Sequence, residues 1–449
     1  MYNLTTDLSQ RNLTKDLAYL AAPLVVSNLA YTLMGVVDTL FLGRVSAAAL
    51  GAVGLANMLF LTLSLIFRST ISGVTTFVSR AYGAGEFAVA GRHLLHFIGF
   101  ALVLSPLGLL LNPLFDTFFQ LMKPEQQVVE QAMLYLNIRI VGLPLSLVST
   151  ALIGFLIGIG NTRLPAVLSW VSVVANVILN YLLIFGKLGF PAMGIAGAAW
   201  ATNIAFAGQM ILAALIVFKK YAQQYHLRGW SWPSLEKTRS MIKVGLPIGL
   251  ADAVDVGAFA TFMGLVSRLG TAELAVSQIV NQVSSVAFMP GFALGGATGS
   301  LVGRFLGARE PDLAEKVGYQ GVKLGVGFMG LMGLLFWLFP RQLAGFFTPD
   351  PQLVTIAVLP MRLIAVYQVF DAMNIVFRGA LNGAGDTRFA MLLTLLGAWG
   401  IFVPVVYLLA FTFNLGLPGA WGGALIYIFS LGVAVGLRFR SGRWKTITV

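Results

Sequence analysis

Long apolar runs broken by short polar segments dominate the chain from Leu17 almost to its C-terminus. Runs of this length can cross the roughly 30 Å hydrocarbon layer of a bilayer as α-helices. They predict twelve transmembrane helices, near 18–43, 50–78, 94–115, 127–157, 164–186, 193–218, 241–267, 273–303, 318–339, 352–380, 389–412 and 419–438. The one long polar break near the middle runs from Lys219 to Lys243 and holds Lys220, Arg228, Lys237 and Arg239. It predicts an N-lobe at 1–218 with helices 1–6, a cytoplasmic linker at 219–243, and a C-lobe at 244–449 with helices 7–12.

The two lobes resemble each other. Pro23 and Pro247 stand 224 positions apart, and the same step carries Arg80-Ala-Tyr-Gly-Ala-Gly-Glu86 onto Arg304-Phe-Leu-Gly-Ala-Arg-Glu310. A step of 225 carries Gly158-Ile-Gly-Asn-Thr-Arg163 onto Gly383-Ala-Gly-Asp-Thr-Arg388, and 227 carries Leu188-Gly-Phe-Pro191 onto Leu415-Gly-Leu-Pro418. Anchors in the same order with so little drift mark a tandem duplication. Six helices per copy is an even number, so both copies enter from the same side. They are expected to be parallel repeats about a pseudo-twofold axis along the membrane normal, with a central cleft.

Composition supports the membrane reading: 58% of residues are hydrophobic and 10% charged, where soluble domains carry about a quarter charged. The absence of cysteine excludes disulfides and thiolate metal sites. His93, His96 and His226 fall in loops or at predicted helix ends, so no histidine metal centre is expected. The N-terminus, with Asp7, Arg11, Lys15 and Asp16, shows no cleavable signal peptide. The net charge of +12 follows membrane topology rather than nucleic acid. Most of the 29 Lys and Arg fall at the N-terminus, in the even-numbered loops and at the C-terminus. Arg44, Lys123, Lys187, Arg268 and Arg341 fall on the other side, and Arg68, Arg139 and Arg362 inside apolar runs. Both termini are therefore expected in the cytoplasm, with the chain in the inner membrane. Pro23, Pro106, Pro144, Pro247, Pro360 and Pro404 can each kink a helix.

A carboxylate in hydrocarbon costs about 2.5–3.5 kcal/mol on insertion scales, and Asp38, Asp252, Asp255 and Asp371 lie inside predicted spans. The duplication does not account for them. A step of 224 takes Asp38 to Phe262, and the reverse step takes Asp255 to Tyr31. Asp38 in helix 1 has no basic neighbour in sequence. Away from water such a group is poised between neutral and charged forms, and can carry a proton or compete for a cation. Asn176 and Asn180, four apart on one face of helix 5, are candidate partners. Thr202 and Asn203 of helix 6 could complete the pocket, with Tyr31 and Met34 as candidate lining for flat apolar cations. The bland alternative is a hydrogen-bonded aspartate that fastens helices 1 and 5.

In the second lobe Asp255 and Asp371 can converge with Tyr367, one turn before Asp371. Oxygen donors suit a hard monovalent cation such as Na+, and an aromatic face adds attraction. Gln278, Asn281 and Gln282 of helix 8 are further candidate amides. The alternative is an ion pair of Asp255 or Asp371 with Arg362 or Arg68. Asp252, nearer the start of helix 7, is expected to be wetted. Arg139 and Arg362 match at a step of 223 and are read as architectural counter-charges. Glycine-rich Gly158-Ile-Gly and Gly383-Ala-Gly lack a Walker lysine, so no ATP or other cofactor is expected.

Gly35-Val-Val-Asp38-Thr, Asn176-Val-Ile-Leu-Asn180-Tyr, Gly245-Leu-Pro-Ile248, Ala365-Val-Tyr-Gln368-Val-Phe-Asp371 and Asn382-Gly-Ala-Gly-Asp-Thr-Arg388 together resemble the multidrug and toxic compound extrusion (MATE) transporters. The likeness runs from about Leu17 to Leu437, closest to the NorM-like branch with some DinF-like character. It implies a 6+6 bundle that exports amphipathic organic cations in exchange for H+ or Na+, as a monomer. It also implies that Asp38, Asn176 and Asn180 form an N-lobe proton or cation pocket, and Asp255, Tyr367 and Asp371 a C-lobe cation site. That branch usually shows Glu where this chain has Asp255, one methylene shorter. The rival within transport is a lipid or lipid-linked oligosaccharide flippase, which favours a large basic cavity. A membrane enzyme would need an ordered catalytic set inside the spans, and none is present.

Overall fold

The computed structural model describes residues 12–122, 125–229 and 232–448, which are all α-helical without a β-strand. Asp7, Arg11 and Lys123, read above as flanking charges, lie outside the described residues. Eleven helices are long and apolar enough to cross a membrane, and one bent pair makes a twelfth span. They are α1 (Leu13–Gly43), α2 (Ala47–Ser72 with Val74–Gly83), α3 (Phe87–Gln120) and α4 (Gln126–Val141 with Leu143–Gly158). There follow α5 (Arg163–Phe185), α6 (Gly194–Lys220), α7 (Leu235–Ser267) and α8 (Thr271–Gly307). The last are α9 (Pro311–Leu338), α10 (Pro351–Ala384), α11 (Thr387–Thr412) and α12 (Gly416–Arg440). This is a multi-pass membrane protein.

The breaks have local causes. In α4 the 47° bend falls at Gly142, just before Leu143-Pro144, where the proline ring removes a backbone donor. Pro106 opens the 3-10 stretch Ser105–Leu111 within α3. Pro404 sits between two π-helical turns of α11, Ala398–Phe402 and Leu408–Thr412. The helices also run longer than the apolar runs that announce them. α3 starts at Phe87, so His93 and His96 lie inside it rather than at its end, with His96 buried.

Two compact units divide the chain. One holds Val26–Gly249; the other holds Leu250–Val449 together with the described residues up to Val25. Thus α1 passes from one unit to the other between Val25 and Val26, and α7 does so between Gly249 and Leu250, 224 residues later.

In the Val26–Gly249 unit α5 packs on α6, and α2 on both halves of α4. Phe60, Phe115, Phe119, Tyr135 and Ile140 are buried among their apolar neighbours. In the other unit α10 is the centre, packed against α8, α9 and α12. An aromatic core stands beside it. Phe262 meets Trp421 edge-on at 5.1 Å and Phe402 at 5.5 Å, and Phe402 stacks on Tyr427 at 4.7 Å.

The α8–α10 contact is made by backbone. Gly295 and Gly299 of α8 face Gly379 and Gly383 of α10, and a Cβ on either α10 glycine would strike the main chain of α8. Both pairs have the four-residue spacing that lets membrane helices approach closely. On α4 the repeat keeps the corresponding glycines, Gly154 and Gly158, but they meet Val74, Thr75 and Val78 side chains of α2 instead. The duplicated loops also agree. Gly160 and Gly385 end α4 and α10 in the left-handed region, at φ of 80° and 83°.

Gly379→Ala should therefore lower the melting temperature in detergent, since overpacking a tight contact costs about 1–3 kcal/mol. Gly327→Ala, on an α9 face with open space around it, should be neutral or stabilising. Equal effects at the two positions would dismiss the seam.

Candidate functional site

In the first unit the polar residues of α1, α5 and α6 form one hydrogen-bonded chain. Asp38 is buried, and Asn176 and Asn180 are fully so. Asn180 donates through Nδ2 to Asp38 Oδ1 at 2.5 Å and to Asn176 Oδ1 at 3.0 Å. Asn176 donates in turn to Thr202 Oγ1 at 3.3 Å, and Thr202 donates to the Ala198 carbonyl at 3.0 Å. Asn176 and Thr202 also stand within hydrogen-bonding reach of the Asp38 carboxyl. The donors are neutral amides and a hydroxyl. They solvate the carboxyl without an ion pair. Arg139 lies within electrostatic reach of it.

Arg139 is itself buried. Its Nη1 donates to Asn203 Oδ1 at 2.8 Å, and the guanidinium lies over Phe60 at 4.6 Å from the ring centre. Asn203 therefore serves Arg139 rather than Asp38. Tyr135 links to the same arginine and donates to Asn57 Oδ1 at 3.1 Å. Of the candidate lining, Met34 packs with Ala30, Val173 and Ala205, while the Tyr31 hydroxyl accepts from Gln209 at 2.8 Å.

In the second unit Asp255 and Asp371 stand close enough to Tyr367 for all three to interact electrostatically. Asp371 is buried, with Asn374, one turn further along α10, as its hydrogen-bond partner. Asp371 has no ion pair among the described residues. Asp255 does have one. Arg378 forks across α7, with Nη1 on Asp255 Oδ2 at 2.5 Å and Nη2 on Asp252 Oδ1 at 2.6 Å. Tyr427 of α12 donates to the remaining Asp255 oxygen at 3.2 Å. Asp252 and Asp255 are 34% exposed and Arg378 only 14%, so the carboxylates are half-wetted and the guanidinium is enclosed.

Arg378 and Tyr427 were not singled out by the sequence. Arg378 lies two residues inside the predicted end of helix 10, where a cation passes for a flanking charge. Its signal was spacing: seven residues after Asp371 puts it on the same helical face two turns on. Arg362, the expected partner, is exposed and lies over Trp337 at 5.6 Å. The matching pair Arg139 and Arg362 thus has one buried and one exposed member. Gln278 and Gln282 are exposed and Asn281 is half-buried, and none is brought to the acids by a hydrogen bond.

The family model MatE matches the chain twice, over residues 23–182 and 247–408. The chain is 31% identical over 434 residues to the probable multidrug resistance protein NorM of Thermotoga maritima, covering 96% of this chain and 93% of that one. It is 32% identical over 449 residues to the multidrug resistance protein PmpM of Pseudomonas aeruginosa, covering 98% and 94%. Among solved structures, an outward-facing multidrug resistance MATE family transporter of the MOP superfamily superposes with a TM-score of 0.87 at 22% identity, over 96% and 97% of the two chains. A MATE crystal structure in the bent conformation gives 0.88 at 22% identity, over 96% and 95%.

Replacing Asn180 by Ala should destabilise the protein by about 1–3 kcal/mol, because a buried acceptor loses its donor. In an Asp38→Ala background the same change should cost less, since no carboxyl is left to satisfy. Strictly additive shifts in thermal unfolding would remove the coupling between the two.

Proposed function

The chain belongs to the MatE family, and from that premise we propose that it is a secondary-active antiporter of the inner membrane. It exports amphipathic, mostly cationic organic compounds in exchange for H+ or Na+ by alternating access, working as a monomer with both termini in the cytoplasm. The coarser part of this reading stands on the relatives: the chain is a multidrug efflux transporter, and not an enzyme. The orientation rests on the Lys and Arg bias of the loops.

One observation carries the ion-coupled part. Two buried carboxyls, Asp38 and Asp371, are surrounded by neutral hydrogen-bonding groups and lack an ion pair among the described residues. A carboxyl so placed can take up a cation and give it back without a tethered counter-charge having to leave. The charged and neutralised forms of the two units then differ in their affinity for a cationic drug. That difference is what links downhill ion flux to uphill export, because each ligand can shift an equilibrium only by its differential affinity for two states. Tyr367 beside Asp371, and Tyr31, stacked on Phe206 and two turns before Asp38 on α1, supply flat apolar surface for an organic cation.

Ethidium efflux from energised inverted vesicles tests the proposal, with wild type set beside Asp38→Asn and Asp371→Asn. Each variant should lose most of the gradient-driven component while remaining in the membrane at normal levels. Undiminished efflux in both would defeat ion coupling through these acids.

A further inference from the structure

The second unit has a cation at Asp255 already, and it belongs to the protein. On α7, Asp252 and Asp255 are three apart and share one helical face. On α10, Arg378 stands on the face of Asp371. The fold presents the guanidinium to both α7 carboxylates at once, in a two-pronged arrangement suited to its planar fork. The groups facing Arg378 are Asp252 and Asp255 on α7, Asp371 on its own helix, and Tyr427 on α12.

The use of each oxygen matters. Asp255 Oδ2 accepts from Arg378 and Asp255 Oδ1 accepts from Tyr427. Both oxygens therefore point at hydrogen-bond donors. A hard cation is held by oxygen lone pairs turned toward it, and each Asp255 oxygen already turns one of its lone pairs to a donor. A fixed positive charge at hydrogen-bonding distance also repels any second cation arriving at the same carboxylate. Unlike a free ion, the guanidinium cannot be carried off down a gradient.

We propose that Arg378 is a tethered counter-cation that fills the ion position at Asp255, so that sodium does not bind there. This rests on the antiporter reading above and narrows it: among the C-unit acids coupling falls to Asp371, which has no arginine fork. Arg378 acts here as a specificity-determining residue. Asp252 supplies the second anchor that keeps the guanidinium in place while Asp255 is engaged.

The experiment is thermal unfolding of the purified full-length protein in detergent, in NaCl against equimolar choline chloride, followed by tryptophan fluorescence. A ligand that binds only the folded state raises its melting temperature in a saturable way. Wild type and Arg378→Lys should melt alike in the two salts. Arg378→Ala should gain a saturable sodium-specific rise, reflecting a sodium affinity at least about tenfold tighter than that of wild type. The rise should vanish in Arg378→Ala/Asp255→Asn. Should Arg378→Ala fail to fold, Arg378→Ala/Asp252→Asn removes one negative charge with the positive one and should show the same gain. A saturable sodium effect in wild type that Asp255→Asn abolishes would overturn the proposal, as would sodium-blind behaviour in both arginine-free variants. The wild-type comparison decides alone if neither variant folds. Because the readout is binding, a protein that melts as expected but exports no ethidium sinks the antiporter reading and leaves the clamp standing.

Discussion

A carboxyl set among apolar helices must be given hydrogen-bond donors or a counter-charge, since water is too scarce there to solvate it alone. Nearly everything specific in this molecule is a solution to that constraint. The first unit answers with neutral dipoles: two asparagines on one face of α5 and a threonine on α6 form a hydrogen-bonded chain whose Asn180 end donates to Asp38. The second answers with charge at Asp252 and Asp255, but leaves Asp371 with an amide. Neutral solvation permits a proton or ion to come and go. A tethered guanidinium does not.

The duplication sharpens the contrast, because backbone features were kept and polar chemistry was not. The left-handed glycines Gly160 and Gly385 end corresponding helices, and α4 and α10 keep matching glycine pairs. Yet the repeat step takes Asp38 to Phe262 and Asn176 close to Phe402, which pack against each other at 5.5 Å. Where one unit has a polar chain, the other has an aromatic core. That core in turn positions Tyr427, stacked on Phe402, to reach Asp255. The first unit thus builds its site at a place the second fills with packing.

Much of this was legible in the sequence. Sustained apolar runs located the twelve spans, because crossing a hydrocarbon layer demands a length that few other constraints impose. Asp38, Asn176, Asn180 and Thr202 were legible together, since a lone carboxylate in an apolar run calls for donors and a four-residue asparagine spacing offers them. Arg378 was not, because hydrophobicity falls near a helix end and a cation there reads as an anchor. Helix ends are where apolar runs inform least: α3 begins at Phe87, taking His93 inside, and α10 continues to Ala384, leaving Arg378 almost two turns from its end. Tyr427 was equally silent, one aromatic among many on α12. Its role depends on a three-dimensional neighbour, not on spacing. The fate of Asn203 was misread for the same reason, as only the fold reveals that Arg139 claims it.

The glycine seam between α8 and α10 bears on how Asp371 and Arg378 can move at all. Ordinary helix contacts adjust by changing rotamers, which lets one helix slide while its neighbour stays. Here main chain rests on main chain at Gly295, Gly299, Gly379 and Gly383, so there are no rotamers to change. The carboxyl and the guanidinium ride on a helix whose backbone lies directly against that of its neighbour. Displacing either group by more than its own side-chain reach means opening that seam, sliding along it or carrying α8 along.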